Sequence, residues 1–204
     1  IALVRKFIDE FSLENIQRIS IGFPGPIING IGFSERLSWE INLEEIQQKL
    51  SIDEVYILND LEASAYGLAN VSKDCLVPIF AGNPDLKGNM AILAPGNGLG
   101  EAGLFHDGLC LRPFATEGGH TEFSPRTGVE VEFYQFLNKI YGIVSWEQVL
   151  SKNGLFNIFR FLRDEKRHPQ SERLTEMLRE GDFVEVVYRA AIEHEEQICT
   201  IAIN

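Results

Sequence analysis

Glu54-Val55-Tyr56-Ile57-Leu58-Asn59-Asp60-Leu61-Glu62-Ala63-Ser64-Ala65-Tyr66-Gly67-Leu68 is the stretch on which the fold turns. Its first half is β-branched and aromatic and reads as a strand. Leu61 to Leu68 reads as a helix, with Asn59 and Asp60 at the junction. Asn and Asp cap helices, because their short side chains accept hydrogen bonds from the first free amides. In open α/β sheets, ligands also sit outside the carboxyl ends of strands, where this pair would lie. A structural cap and a functional site are both open readings of Asn59-Asp60.

Toward the amino terminus, Arg18-Ile19-Ser20-Ile21-Gly22-Phe23 forms a second strand, stopped by Pro24-Gly25-Pro26. Leu3, Val4, Phe7, Ile8 and Phe11 mark one face of a helix over residues 1–11, and Ile31 to Phe33 reads as a short returning strand. Asn42 with Glu45 three positions on is a capping-box pattern that opens a helix over Leu43 to Leu50. Strand and helix alternate up to about residue 70, which predicts an α/β layer architecture.

Beyond that point, eight of the 18 glycines fall between Ala94 and Gly128, where an even spread would put about three. Tight turns or close ligand approach are expected there. Predicted strands are Leu76 to Phe80, Met90 to Ala94, Gly103 to Phe105 and Leu109 to Leu111, the last two joined across His106-Asp107-Gly108. From Val129 the chain is mostly helical. Val184, Val187, Tyr188, Ala191, Ile192, Ile198 and Ala202 predict one face of a single long final helix.

Three constellations could carry chemistry. Ala94-Pro95-Gly96-Asn97-Gly98-Leu99-Gly100 follows a strand, and its backbone amides could cradle a phosphate or simply turn a hairpin. Gly98 to Gly103 also satisfies GxGxxG, but a dinucleotide fingerprint must open a helix, and a hairpin follows here. Glu117-Gly118-Gly119-His120 sets a carboxylate and an imidazole around two glycines, which suits sugar hydroxyls, a surface turn or, lacking a third ligand, a poor metal site. Glu147 lies in Ser145-Trp146-Glu147-Gln148, where a capping box accounts for it structurally. His106, His168 and His194 read as isolated surface residues, and Trp39 and Trp146 as packing residues.

Composition limits the partners. A chain of 204 residues, 45% hydrophobic, can bury a substantial core. Its net charge of -12 repels nucleic acid and anionic membrane and favours a small neutral substrate. A nucleotide would need local help from amides, magnesium or a few placed cations. Cys75, Cys110 and Cys199 show no disulfide or zinc spacing, which suggests a reducing, cytoplasmic setting. No apolar run reaches the roughly 18 residues that span a bilayer. The first residue, Ile1, and the uncapped end at Asn204 lead us to expect that both ends have been cut.

Four segments together resemble the bacterial glucokinase family of the hexokinase and actin-like ATPase superfamily. They are Ile57-Leu58-Asn59-Asp60-Leu61-Glu62-Ala63, Pro95-Gly96-Asn97-Gly98-Leu99-Gly100, Thr116 through Pro125 with Glu117-Gly118-Gly119-His120, and Ser145-Trp146-Glu147-Gln148-Val149-Leu150-Ser151. The resemblance implies an α/β, ribonuclease H-like two-domain sugar kinase, incomplete at both termini. Residues 1–70 would be part of a small α/β domain and residues 71–204 part of a large α+β domain.

The implied reaction is ATP-dependent phosphorylation of glucose at its 6-hydroxyl, giving glucose 6-phosphate, the first step of glycolysis. Asp60 would be the general base; Asn59, Glu117, His120 and Glu147 would bind sugar hydroxyls. Gly96, Asn97 and Gly98 would hold ATP, which acts with Mg2+, and a homodimer is compatible with the family. Asn97 stands where the family often has threonine, and Glu35-Arg36 before Trp39 replaces its usual threonine-asparagine pair. The family's amino-terminal Asp-x-Gly-Gly-Thr loop and carboxy-terminal adenosine segment have no counterpart, so the chain alone is expected to bind ATP poorly and its parent to be active. A catalytically silent sugar sensor and a kinase of broader hexose specificity are the alternatives. A zinc-binding relative is disfavoured, since no cysteine cluster follows His120.

Overall fold

The computed structural model describes residues 1–34, 37–83, 88–193 and 196–204. Glu35-Arg36 and His194, both considered above, lie outside the described residues. The chain forms two compact units, one of residues 1–92 and 102–116, the other of residues 93–101 and 117–204.

In the first unit, α1 (Ala2–Glu10) precedes β1 (Arg18–Phe23), and β5 (Glu54–Asn59) pairs with β1 in parallel, Phe23 opposite Asn59. Between them, β2 (Ile27–Ile28), β3 (Ile31–Ser34) and β4 (Trp39–Asn42) form an antiparallel sheet, followed by α2 (Leu43–Leu50). The period-two pattern explains β5, with Val55 and Ile57 buried and Glu54 and Tyr56 outward. Those two side chains join Phe23, Ile46 and Ile52 in a small core. Asn42 caps α2 by accepting from the Glu45 amide at 3.2 Å. Gly25 makes the turn after β1, where its φ of +154° and the nearby Phe33 carbonyl leave no room for a side chain.

α3 (Asp60–Leu68) follows β5 directly. The remaining sheet has the order β6 (Met90–Pro95), β7 (Leu99–His106), β8 (Leu111–Thr116). Within the first unit, Ala65 of α3 is buried against Ala102 and Leu104 of β7, which fixes the helix on the sheet.

The second unit is helical: α4 (Gly128–Tyr141), α5 (Lys152–Asp164), α6 (Glu172–Glu180), α7 (Phe183–Ile192) and α8 (Gln197–Ile203). Phe133, Leu137, Phe159, Phe161, Leu174, Val187 and Ile198 fill its core. α4 carries a complete capping box between Thr127 and Glu130.

Three expectations are corrected. Leu76 to Phe80 forms no strand: Pro78 interrupts the run and cannot donate to a ladder, and Val77, Ile79 and Phe80 are almost fully exposed. The second hairpin strand begins at Leu111, because the Asp107 carboxylate accepts from the amides of Leu109 and Cys110, both at 2.9 Å, and holds those residues in the turn. The final apolar face belongs to two helices, α7 ending at Ile192 and α8 starting at Gln197. The stripe continues across the polar stretch Glu193 to Glu196, and periodicity alone does not register the break.

Candidate active site

At the carboxyl end of the parallel pair, Asn59 does the capping. Its Oδ1 accepts from the amides of Leu61 (3.0 Å) and Glu62 (3.2 Å), while Nδ2 donates to the Gly25 carbonyl at 3.3 Å, tying β5 to the turn after β1. Asp60 is the first residue of α3 and is exposed. One of its oxygens, Oδ1, accepts from the Leu61 amide at 2.9 Å, and Oδ2 makes no hydrogen bond among the described residues. Gly22 lies beneath, where a methyl would make ordinary contact at 3.5 Å from the Asp60 Cα. The cap reading therefore holds for Asn59, and Asp60 presents a carboxylate with hydrogen-bonding capacity to spare.

In the second unit, the Gly96 amide donates to the Gly98 carbonyl at 2.8 Å, closing a tight turn between β6 and β7. Gly96 and Asn97 are exposed at its tip. The Lys152 amide, in the first turn of α5, donates to the Gly96 carbonyl at 2.8 Å. Glu147 reaches the other side of the turn, where its Oε2 accepts from the Leu99 amide at 3.0 Å. A Cβ on Gly98 would run into that carboxylate.

The Gly118-Gly119 pair forms a 3₁₀ turn, residues 118–120, against β7. A Cβ on Gly119 would strike the Leu99 carbonyl oxygen, which is backbone and cannot rotate away. The following chain is stitched to the Glu147 segment: the Trp146 amide donates to the Thr121 carbonyl at 3.0 Å, and Glu122 bridges Ser145. Ser145 and Gln148 form the predicted capping box. Fully buried Asn157 of α5 anchors the segment further, donating to the Gln148 carbonyl and accepting from the Tyr141 hydroxyl, each at 3.0 Å. Glu117 and His120 are 3.8 Å apart, and both are well exposed.

Gly98, Glu147 and the turn carrying Glu117 and His120 are thus neighbours in one unit, whereas Asn59 and Asp60 belong to the other. Sequence reasoning missed two participants. The Leu99 amide is found only through a contact 48 residues away in the chain. Asn157 could have been flagged as a polar residue among the apolar positions of α5.

Among the described residues, no group of three or more His, Cys, Asp or Glu side chains could hold a metal ion. None of the described helices is long and apolar enough to cross a membrane.

This mixed α/β arrangement is the sugar kinase fold of the actin-like ATPase type. Solved structures with that fold include a glucokinase from an Antarctic psychrotroph (TM-score 0.78, 23% identity, 99% of this chain and 60% of that one). Another is the glucokinase of Balamuthia mandrillaris, solved with glucose (TM-score 0.72, 19% identity, again 99% and 60%). The chain belongs to the glucokinase family, whose model matches residues 1–204. Glucokinase of Nostoc punctiforme is 30% identical over 181 residues, 88% of this chain and 53% of the relative. That of Saccharophagus degradans is 34% identical over 159 residues, 78% and 50% respectively. The chain spans about half the length of the curated relatives it matches.

Proposed function

We propose that the chain carries the sugar-binding residues and a phosphate turn of an ATP-dependent glucokinase, which converts glucose to glucose 6-phosphate in the cytoplasm. In the complete kinase, residues 1–70 belong to the small domain and residues 71–204 to the large one. The observation that carries the reading is the hydrogen bond from the Leu99 amide to Glu147, which holds a sugar-hydroxyl acceptor against the Gly96–Gly98 turn.

Asp60 orients the 6-hydroxyl and accepts its proton late, since phosphoryl transfer demands positioning and charge stabilisation more than a strong base. Its spare Oδ2 supports that role. Asn59, Glu117, His120 and Glu147 bind the remaining hydroxyls. A site built to hydrogen-bond hydroxyls rejects an analogue lacking one by about 10⁴ to 10⁵. The exposed Gly96-Asn97 tip supports phosphate binding: the Gly96 amide is taken by the Gly98 carbonyl, and the Asn97 amide and side chain would be the donors to an anion there. Mg2+ would be held by the ATP phosphates and water, and when bound it neutralises charge on the transferring group.

The test is glucose 6-phosphate formation by the complete gene product in a dehydrogenase-coupled assay with ATP, glucose, mannose and fructose. Turnover highest with glucose supports the reading. Glucose binding without turnover would establish a silent sensor instead, and equal turnover of all three sugars a broad hexose kinase.

A further inference from the structure

A cavity of about 740 Å³ in the second unit opens beside the glycine turn, lined by Gly96, Asn97, Ser151, Lys152, Leu155 and Asp182 among others. Lys152 is the one cation among its described lining residues, and Asp182 the one carboxylate.

Resting on the nucleotide reading of the Gly96–Gly98 turn, we propose that Lys152 contacts the phosphate chain of the nucleoside triphosphate in this cavity. The backbone ties the lysine to the turn, through its amide on the Gly96 carbonyl at 2.8 Å. From there a flexible four-carbon stem carries three rotatable donors, which suits a point-charge contact to phosphate oxygens. Asp182 keeps the ammonium on the cavity wall, its Oδ2 2.5 Å from Nζ. Its other oxygen caps α7, accepting from the amides of Val184 (3.0 Å) and Glu185 (3.3 Å), so the carboxylate itself is fixed.

Both partners of the ion pair are roughly half exposed, at 43% and 47%, and such pairs contribute little. Exchanging Asp182 for a multiply charged phosphate chain is therefore easy. Lys152 waits on Asp182 when the cavity is empty and turns to the phosphates when it is filled.

The complete gene product tests this with ATP kinetics and with calorimetry of inorganic tripolyphosphate, which carries the phosphate chain without adenosine. Lys152→Met should raise the KM for ATP and the Kd for tripolyphosphate about tenfold, as expected for loss of one charge-assisted contact. The KM for glucose should stay within about twofold, which also reports intact folding. Lys152→Arg should recover most of the loss. Asp182→Asn keeps the cap and frees the lysine, so it should tighten tripolyphosphate binding. Unchanged tripolyphosphate affinity in Lys152→Met, or a rise confined to the glucose KM, overturns the assignment. If the wild-type protein shows no ATP-dependent turnover, the kinase reading falls, and the tripolyphosphate comparison still decides the role of Lys152.

Discussion

Two single-methyl substitutions, Gly98→Ala and Gly119→Ala, test how the candidate site is held together. Both add a Cβ that meets an oxygen, but the oxygens differ. At Gly119 the obstacle is the Leu99 carbonyl, part of β7. The strand must shift or the 3₁₀ turn must lift, and overpacking of that kind costs about 1–3 kcal/mol. For a domain of this size each kcal/mol moves Tm by roughly 2–4 °C, so a fall of several degrees is expected.

At Gly98 the obstacle is the end of the Glu147 side chain, which can rotate away. Rotation breaks its bond to the Leu99 amide and moves a proposed sugar acceptor. Leu99 is buried, so its amide is left without a partner. A loss of about 1–2 kcal/mol on the sugar side corresponds to a roughly five- to thirtyfold rise in the KM for glucose, and the unpaired Leu99 amide lowers Tm as well. The assays are thermal unfolding and coupled kinetics on the complete gene product. A Gly98→Ala variant with an unchanged glucose KM, or a Gly119→Ala variant with an unchanged Tm, would overturn these expectations.

Asn59→Ala removes the α3 cap and should cost about 1 kcal/mol of stability as well as weaken glucose binding, whereas Asn59→Asp keeps the cap but sets a carboxylate against the Gly25 carbonyl and should recover only part of the loss, both read by denaturant unfolding. Glu130 is held below the ordinary glutamate value of 4.5, first by the Arg126 amide and then by the Thr127 backbone and hydroxyl. A depressed folded-state pKa contributes stability above the unfolded value that is lost as pH falls through the folded one. Glu130→Gln should therefore flatten the loss of Tm on acidification below about pH 4.5. Burial, and next the Glu196 charge, push the Cys199 thiol up to about 11, while Cys75 and Cys110 are exposed. A thiol reagent at pH 8 should label two cysteines in the native protein and the third only on unfolding; rapid labelling of all three would contradict the buried placement.

How much of this was legible in the sequence depends on how local each signal is. The strand from Glu54 and the α3 helix were readable because alternating burial, a cap and helical spacing all act within a few residues. The α4 to α7 caps, Thr127, Ser151, Ser171 and Asp182, are as local, yet the sequence is read only as mostly helical from Val129. The run Leu76 to Phe80 misled because its composition suits a strand, although Pro78 interrupts it and no ladder forms there. β2, with two residues, is too short to show a period. Glu147 was read through its capping box, and its bond to Leu99 was invisible because it joins residues 48 apart. Likewise the two glycines before His120 signalled a turn, but only the packing on β7 explains why Gly119 has no side chain.

The role of Asp60 is tested most directly by kcat for Asp60→Asn against wild type in the complete gene product at saturating glucose and ATP. A fall of about 10² to 10⁴ in kcat is expected, with the KM for glucose within roughly threefold, because the amide can still hydrogen-bond the 6-hydroxyl but cannot take its proton. A variant that keeps kcat within threefold would contradict it.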